Sequence, residues 1–93
     1  MSDDVEMAVA LKYDKEKDVA PRVLAKGLRL KAEQIREIAK KYNIPMMKNL
    51  PLASALYRVD VGQEVPEELY DAVAEILNFV YALQQEQQAG GKR

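Results

Sequence analysis

The chain has 93 residues and a net charge of −1, with 48% apolar and 31% charged residues. This length suits one domain and is too short for two. Because cysteine and histidine are both absent, the sequence excludes disulfides, thiolate chemistry, the commonest zinc ligands and the usual neutral-pH acid/base catalyst.

The first predicted element is a β-strand near the N-terminus. Apolar side chains occupy every second position there, which is the period of a strand with one buried face. The alternate positions carry Glu6, Ala8, Ala10 and Lys12. The apolar set of the strand is Val5, Met7, Val9, Leu11 and Tyr13.

A short helix, a longer helix and a second strand are predicted next. Pro21 suits the first turn of the short helix, where its missing N–H has no partner to lose, and Gly27 suits its end. Between 28 and 42 the apolar residues recur three or four apart, which is typical of an amphipathic helix. Residues 44–48 are apolar and carry a proline near their start, which favours a second strand.

Two further helices are predicted in the second half of the chain. The first spans residues 49–57 with Pro51 near its start, and the second begins at Pro66. Residues 59–65 between them are predicted to form an irregular connection with a candidate short third strand. The residues after that last helix are polar, so we expect 84–93 to form a frayed tail.

The order of these elements predicts an α/β (α+β) fold. Helices alternate with strands, and such alternation is typical of a parallel sheet with helical crossovers. We therefore expect one domain over residues 1–83. It should hold a small mixed or parallel sheet of two to four strands, flanked by about four helices.

The charges are distributed unevenly along the chain. Residues 12–58 contain twelve Lys/Arg and five Asp/Glu, whereas residues 59–91 contain seven Asp/Glu and no Lys/Arg. Solvated helix faces explain this asymmetry most simply. The alternative is a basic helix that binds nucleic acid through phosphate contacts. We do not expect nucleic-acid binding, because acidic residues are interspersed among the basic ones, which are Arg29, Lys31, Arg36, Lys40 and Lys41.

The sequence nominates no catalytic, metal or cofactor site. Asp14, Glu16 and Asp18 alternate as in a calcium loop, but Val19 stands where that loop needs glycine. The glycines at 90–91 lack the strand and helix that flank a phosphate-binding loop. We therefore expect neither an enzyme nor a bound cofactor or metal.

The predicted location is the cytoplasm. No apolar run approaches the roughly 20 residues that a membrane span requires. The N-terminal residues 1–6 are acidic and lack the basic start and apolar middle of a signal peptide.

Several segments, taken in their order and spacing, resemble one protein family. These segments are VALKY (9–13), AP (20–21), VLAKG (23–27), IREIA (35–39), IP (44–45), PLASALY (51–57) and VGQEVPEELYDAVAEIL (61–77). Over roughly residues 7–83 the chain resembles the C-terminal cytoplasmic domain of FlhB-type export proteins, which serve flagellar and related type III secretion systems.

The resemblance implies a role in protein export. Family members contribute to substrate recognition and to the switch from early to late export substrates. They also cut themselves at an Asn-Pro-Thr-His sequence just before the first matched strand. Residues 3–6 here contain none of that motif, and no asparagine precedes a proline. We therefore expect no self-cleavage, and a stand-alone copy of the post-cleavage fragment without a membrane portion.

The resemblance also implies a docking patch for the signal of an export substrate. This patch is a small apolar surface in the family. It maps by motif onto Ala20, Pro21, Ala74 and Leu77. Ala74 and Leu77 also fit the core-facing stripe of the last helix, so a purely structural role is the alternative.

An open sheet edge is the second expected docking surface. In the family, a strand before the cleavage site belongs to the same sheet, and residues 1–6 are too few to supply it. The edge of the strand of Val5, Met7, Val9, Leu11 and Tyr13 is then free for an extended segment of another chain or of a second copy. The expected partners are export substrates, the FlhB membrane portion and an FlhA-type gate protein at the inner face of the membrane.

Overall fold

The computed structural model describes residues 6–14 and 16–91, with the side chains of 84–91 excepted. Its elements confirm the predicted α/β class. A short 3-10 turn, Glu67–Leu69, leads into the last helix. The strands are β1 (Met7–Lys12) and β2 (Arg22–Leu28), and the α-helices are α1 (Leu30–Lys41), α2 (Leu50–Tyr57) and α3 (Tyr70–Gly91).

The two strands form an antiparallel sheet, so the predicted parallel or mixed arrangement is wrong. Met7 pairs with Leu28 and Lys12 pairs with Arg22, with an irregularity in the register after Ala10. No helix lies between β1 and β2 among the described residues of that connection. Parallel neighbours need a crossover of about a dozen residues or more, and the shorter link here joins antiparallel strands.

β2 occupies the segment that was expected to be a short helix, so that prediction is also wrong. Val23 and Gly27 are buried within it, whereas Leu24 is exposed. Gly27 marks a close approach and not a helix end, because a Cβ at this position would lie 2.5 Å from Lys31 Cγ on α1.

Residues 44–48, expected to be a second strand, contain no regular secondary structure. The helix before them ends where Asn43 takes a left-handed φ of 56°. The candidate third strand within 59–65 is reduced to a single bridge between Arg22 and Glu64. The sheet therefore has two strands in the part of the chain that the structure describes.

The remaining three predicted helices are confirmed. The Asn49 side chain caps α2 by accepting a hydrogen bond from the Leu52 N–H at 3.1 Å. The backbone of α3 stays helical to Gly91. The fraying predicted for 84–93 stays a prediction.

The main core joins one face of β1 to α2 and α3. Its buried members are Leu52, Leu56, Val65 and Val73, with Val9 and Leu11 packed against them. Side chains alternate between the faces of a sheet, so Ala8 and its partner Gly27 face the opposite side, where α1 packs. The helices thus cover both faces of the small sheet.

Candidate functional site

A shallow apolar recess lies where the turn between β1 and β2 meets the start of α3. Its volume is about 200 Å³, below the roughly 300–1,000 Å³ of typical small-molecule sites. A space of this size suits one or two side chains of a partner better than a cofactor. The recess is lined by Tyr13, Val19, Pro21, Tyr70, Val73, Ala74 and Leu77.

A hydrogen-bonded turn forms the first wall of the recess. The Asp14 N–H donates to Asp18 Oδ2 at 2.8 Å, and the Asp18 N–H donates to the Asp14 carbonyl at 2.7 Å. Pro21 continues this wall, and its carbonyl accepts from the Val65 N–H at 2.8 Å. Because both ends of the turn are fixed, Val19 is held outward with 86% of its surface exposed.

The first turns of α3 form the second wall. The lining residues of α3 are three or four positions apart, except for the neighbours 73 and 74, and so lie on one side of the helix. They are Tyr70, Val73, Ala74 and Leu77. Val73 is buried and belongs to the main core. Ala74 is exposed and Leu77 is half-buried. The wall therefore has a rigid base in the core and an accessible rim.

Three of the four residues predicted for the docking patch line this recess, namely Pro21, Ala74 and Leu77. The fourth, Ala20, is not among the lining residues and is 1% exposed. The turn directs Val19 outward and Ala20 inward. Binding of an export signal in this recess stays a prediction.

The patch predicted from the sequence does not include four of the lining residues, namely Tyr13, Val19, Tyr70 and Val73. Tyr70 precedes Ala74 by four residues, so the helical period could have identified it. Tyr13 was assigned only to the strand edge. Val19 had no such signal, because its exposure depends on the hydrogen bonds that close the turn.

The outer edge of β1 makes no backbone hydrogen bond to another segment within residues 6–14 and 16–91. The Arg29 N–H donates to the Glu6 carbonyl at 2.8 Å, so Glu6 and every second residue after it turn their backbone groups toward β2. The outward groups of the strand then belong to Met7, Val9 and Leu11. Tyr13 follows the end of β1, and Val5 lies outside the described residues. An open edge that binds a partner stays a prediction.

The exposed face of α1 offers a weaker site. A groove of about 310 Å³ on this face has no opposing wall, since one helix supplies all of its lining. Arg36, one of the basic residues considered for phosphate contacts, pairs with Glu6 at 2.8 Å. The face gives no support for nucleic-acid binding. The groove is lined by Gln34, Glu37, Ile38 and Lys41.

Clustered acidic side chains and long apolar helices would be signs of metal binding and membrane crossing in the described part of the chain. No three acidic side chains there lie close enough together to hold a metal ion. No helix in that part combines the length and apolar character that a membrane span requires. The recess is the strongest candidate site that the structure offers.

Comparison with known proteins places this chain in a family context. The chain is 49% identical over 87 residues to the flagellar biosynthetic protein FlhB of Escherichia coli K12, which covers 92% of this chain and 23% of that protein. It therefore spans about a quarter of the length of that relative. It is 42% identical over 79 residues to the uncharacterized protein YlqH of Bacillus subtilis 168, covering 85% of each.

The fold is shared with a solved structure as well. The crystal structure of the cytoplasmic domain of FlhB from Shewanella putrefaciens superposes with a TM-score of 0.84 at 44% identity, covering 90% of this chain and 66% of that one. The model of the FlhB HrpN YscU SpaS family matches residues 3–80. This chain therefore belongs to the FlhB HrpN YscU SpaS family of export proteins.

Proposed function

We propose that this chain is an accessory or substitute FlhB-type export module in flagellar or type III protein secretion. It acts at the inner face of the membrane by protein–protein contact and catalyses no reaction. The partners are export substrates, the FlhB membrane portion or an FlhA-type gate protein. Family membership and the names of its flagellar relatives support the export role.

The recess is the observation that carries this proposal. Pro21, Ala74 and Leu77 come from two segments far apart in the chain and line one apolar space. Exposed apolar surface rimmed by polar residues is typical of a protein interaction site. In our proposal, an apolar side chain of the partner enters between Val19 and Ala74 and loses its contact with water.

The proposal includes the absence of self-cleavage. Asn43, Asn49 and Asn78 are followed by Ile44, Leu50 and Phe79, so this sequence contains no Asn-Pro pair. Incubation of the purified chain should leave its mass unchanged. A new fragment in the mass spectrum would contradict this part of the proposal.

A secretion assay tests the docking role directly. The chain is expressed in cells whose FlhB lacks its own C-terminal fragment, and flagellar proteins are measured in the culture medium. We expect the unmodified chain to restore secretion and Ala74→Arg to reduce it at least tenfold, because the new side chain fills the recess with charge.

Gln34→Arg is the matched control, because it places the same side chain on an exposed position of α1. It should secrete like the unmodified chain. Both variants must show native circular dichroism. Equal secretion by the two folded variants would rule out docking at the recess, and no restoration by the folded unmodified chain would rule out the substitute role.

The outer edge of β1 provides a second mode of contact in the proposal. An extended segment of a partner, or β1 of a second copy, pairs with the outward groups of Met7, Val9 and Leu11. Met7→Pro removes one outward N–H and should weaken a dimer in sedimentation experiments. A chain that sediments as a monomer at every concentration would exclude pairing between copies.

A further inference from the structure

The α3 wall of the recess carries an excess of negative charge. Residues 59–83 contain six Asp/Glu and no Lys or Arg. Asp71 precedes Ala74 by three residues and so lies beside the recess-lining stripe of α3, and Glu67 lies in the 3-10 turn that leads into the helix. Glu75 follows Asp71 by four residues and so lies one turn further along the same side of α3. All three carboxylates are exposed. The exposed rim of the recess at Ala74 is therefore bordered by an acidic side of α3.

These carboxylates have no cationic partner within the described residues. The ion pairs found there are Arg22 with Glu64 and Arg36 with Glu6. The positive end of a helix favours acidic residues in its first turn, which accounts for Glu67 and Asp71. That effect falls off within one turn, so it does not account for Glu75.

The opposite wall of the recess differs in charge. Asp14 and Asp18 use carboxylate oxygens to accept backbone N–H groups of the turn itself. Residues 12–18 contain three Lys and three Asp/Glu, so the net charge of this stretch is zero. The recess thus has one neutral wall and one acidic wall.

We propose that the recess binds an extended segment in which an apolar anchor residue is flanked by Lys or Arg, with the basic side chains over α3. This inference rests on the proposed docking function and adds the charge and orientation of the bound segment. The apolar anchor supplies the burial. The basic flank adds charge complementarity, which strengthens binding at low salt and fixes the direction of the segment.

Three synthetic peptides test this inference by nuclear magnetic resonance. Each has ten residues, capped ends and a central leucine, flanked by serines that alternate with Lys, with Gln or with Glu. Backbone amide shifts of Val19 and Ala74 in the full chain report binding at the recess. We expect each Lys that contacts an acidic group to tighten binding about two- to fivefold relative to the Gln peptide. The Glu peptide should bind more weakly than the Gln peptide. This difference should vanish in about 1 M salt.

Paired variants locate the effect. Asp71→Asn combined with Glu75→Gln should remove the preference for the Lys peptide, whereas Glu33→Gln combined with Glu37→Gln on α1 should leave it unchanged. Equal binding of all three peptides at the recess would overturn the charge inference and leave the docking function standing. Absence of any shift at Val19 and Ala74 with millimolar peptide would overturn recess docking itself, and this inference with it.

Discussion

α1 and α3 are both amphipathic helices, yet they use their small residues in opposite ways. On α1, Ala32 and Ala39 are buried, and Gly27 of β2 permits an approach so close that no space remains. On α3, Ala74 is exposed beside a recess. Small residues therefore have two effects in this molecule, since they allow close packing within the fold on α1 and border an open recess on α3.

The same substitution on the two helices should produce the largest contrast. Ala32→Leu forces extra methyl groups into a filled contact, because Ala32 is 0% exposed. We expect it to lower the free energy of unfolding by about 3 kcal/mol. Ala74→Leu extends into the recess and should change that free energy by less than about 0.5 kcal/mol. Urea denaturation measures both. Similar losses in the two variants would show that the helices pack alike.

Gly27→Ala tests the close approach of α1 at a single atom. The added Cβ would lie 2.5 Å from Lys31 Cγ and 2.7 Å from Lys31 Cβ, so the helix itself must move. We expect a loss of about 1–2 kcal/mol in the free energy of unfolding. Leu24→Val on the exposed side of β2 is the control and should cost less than about 0.5 kcal/mol. A Gly27→Ala variant as stable as this control would mean that α1 is not held against the sheet here.

Loss of the ion pair between Arg36 and Glu6 should change the free energy of unfolding less than the substitutions at Ala32 and Gly27. Both side chains are partly exposed, and their 2.8 Å contact is open to solvent. Exposed pairs contribute roughly 0.2–1 kcal/mol. We expect Arg36→Gln to lower the free energy of unfolding by less than about 0.5 kcal/mol, with a smaller change at high salt. A loss above about 1.5 kcal/mol in thermal or urea denaturation would show that α1 depends on this pair and not on its alanines.

The sequence predicted α1 from apolar residues that recur with the helical period, and it predicted α2 and α3 from the prolines near their starts. It did not predict β2, because Pro21 and Gly27 match the signals of a helix start and end. Both residues are in fact buried. Gly27 pairs with Ala8 on β1, and the Pro21 carbonyl accepts from the Val65 N–H. A strand depends on its neighbouring strand more than a helix depends on other segments. The local sequence pattern therefore predicts strands less well than helices. For the same reason residues 44–48 have strand-like composition and no strand neighbour.

Part of the lining of the recess could be predicted from the sequence. Family resemblance nominated Pro21, Ala74 and Leu77, and the structure brings them together around one space. It also nominated Ala20, whose side chain is turned inward. Val19 takes the outward place because of the Asp14–Asp18 hydrogen bonds, and no spacing rule in the sequence reports the direction of a residue in such a turn.

Photo-crosslinking in secreting cells tests most directly whether the recess is a docking site. A photoreactive amino acid replaces Val19, at the exposed rim of the recess, or Gln34 on α1 as the control. Cross-linked proteins are identified by mass spectrometry. We predict that position 19 captures an export substrate or an export-gate protein, that Ala74→Leu abolishes this product, and that position 34 yields none. Equal products at positions 19 and 34, or no export protein at position 19, would contradict docking at the recess.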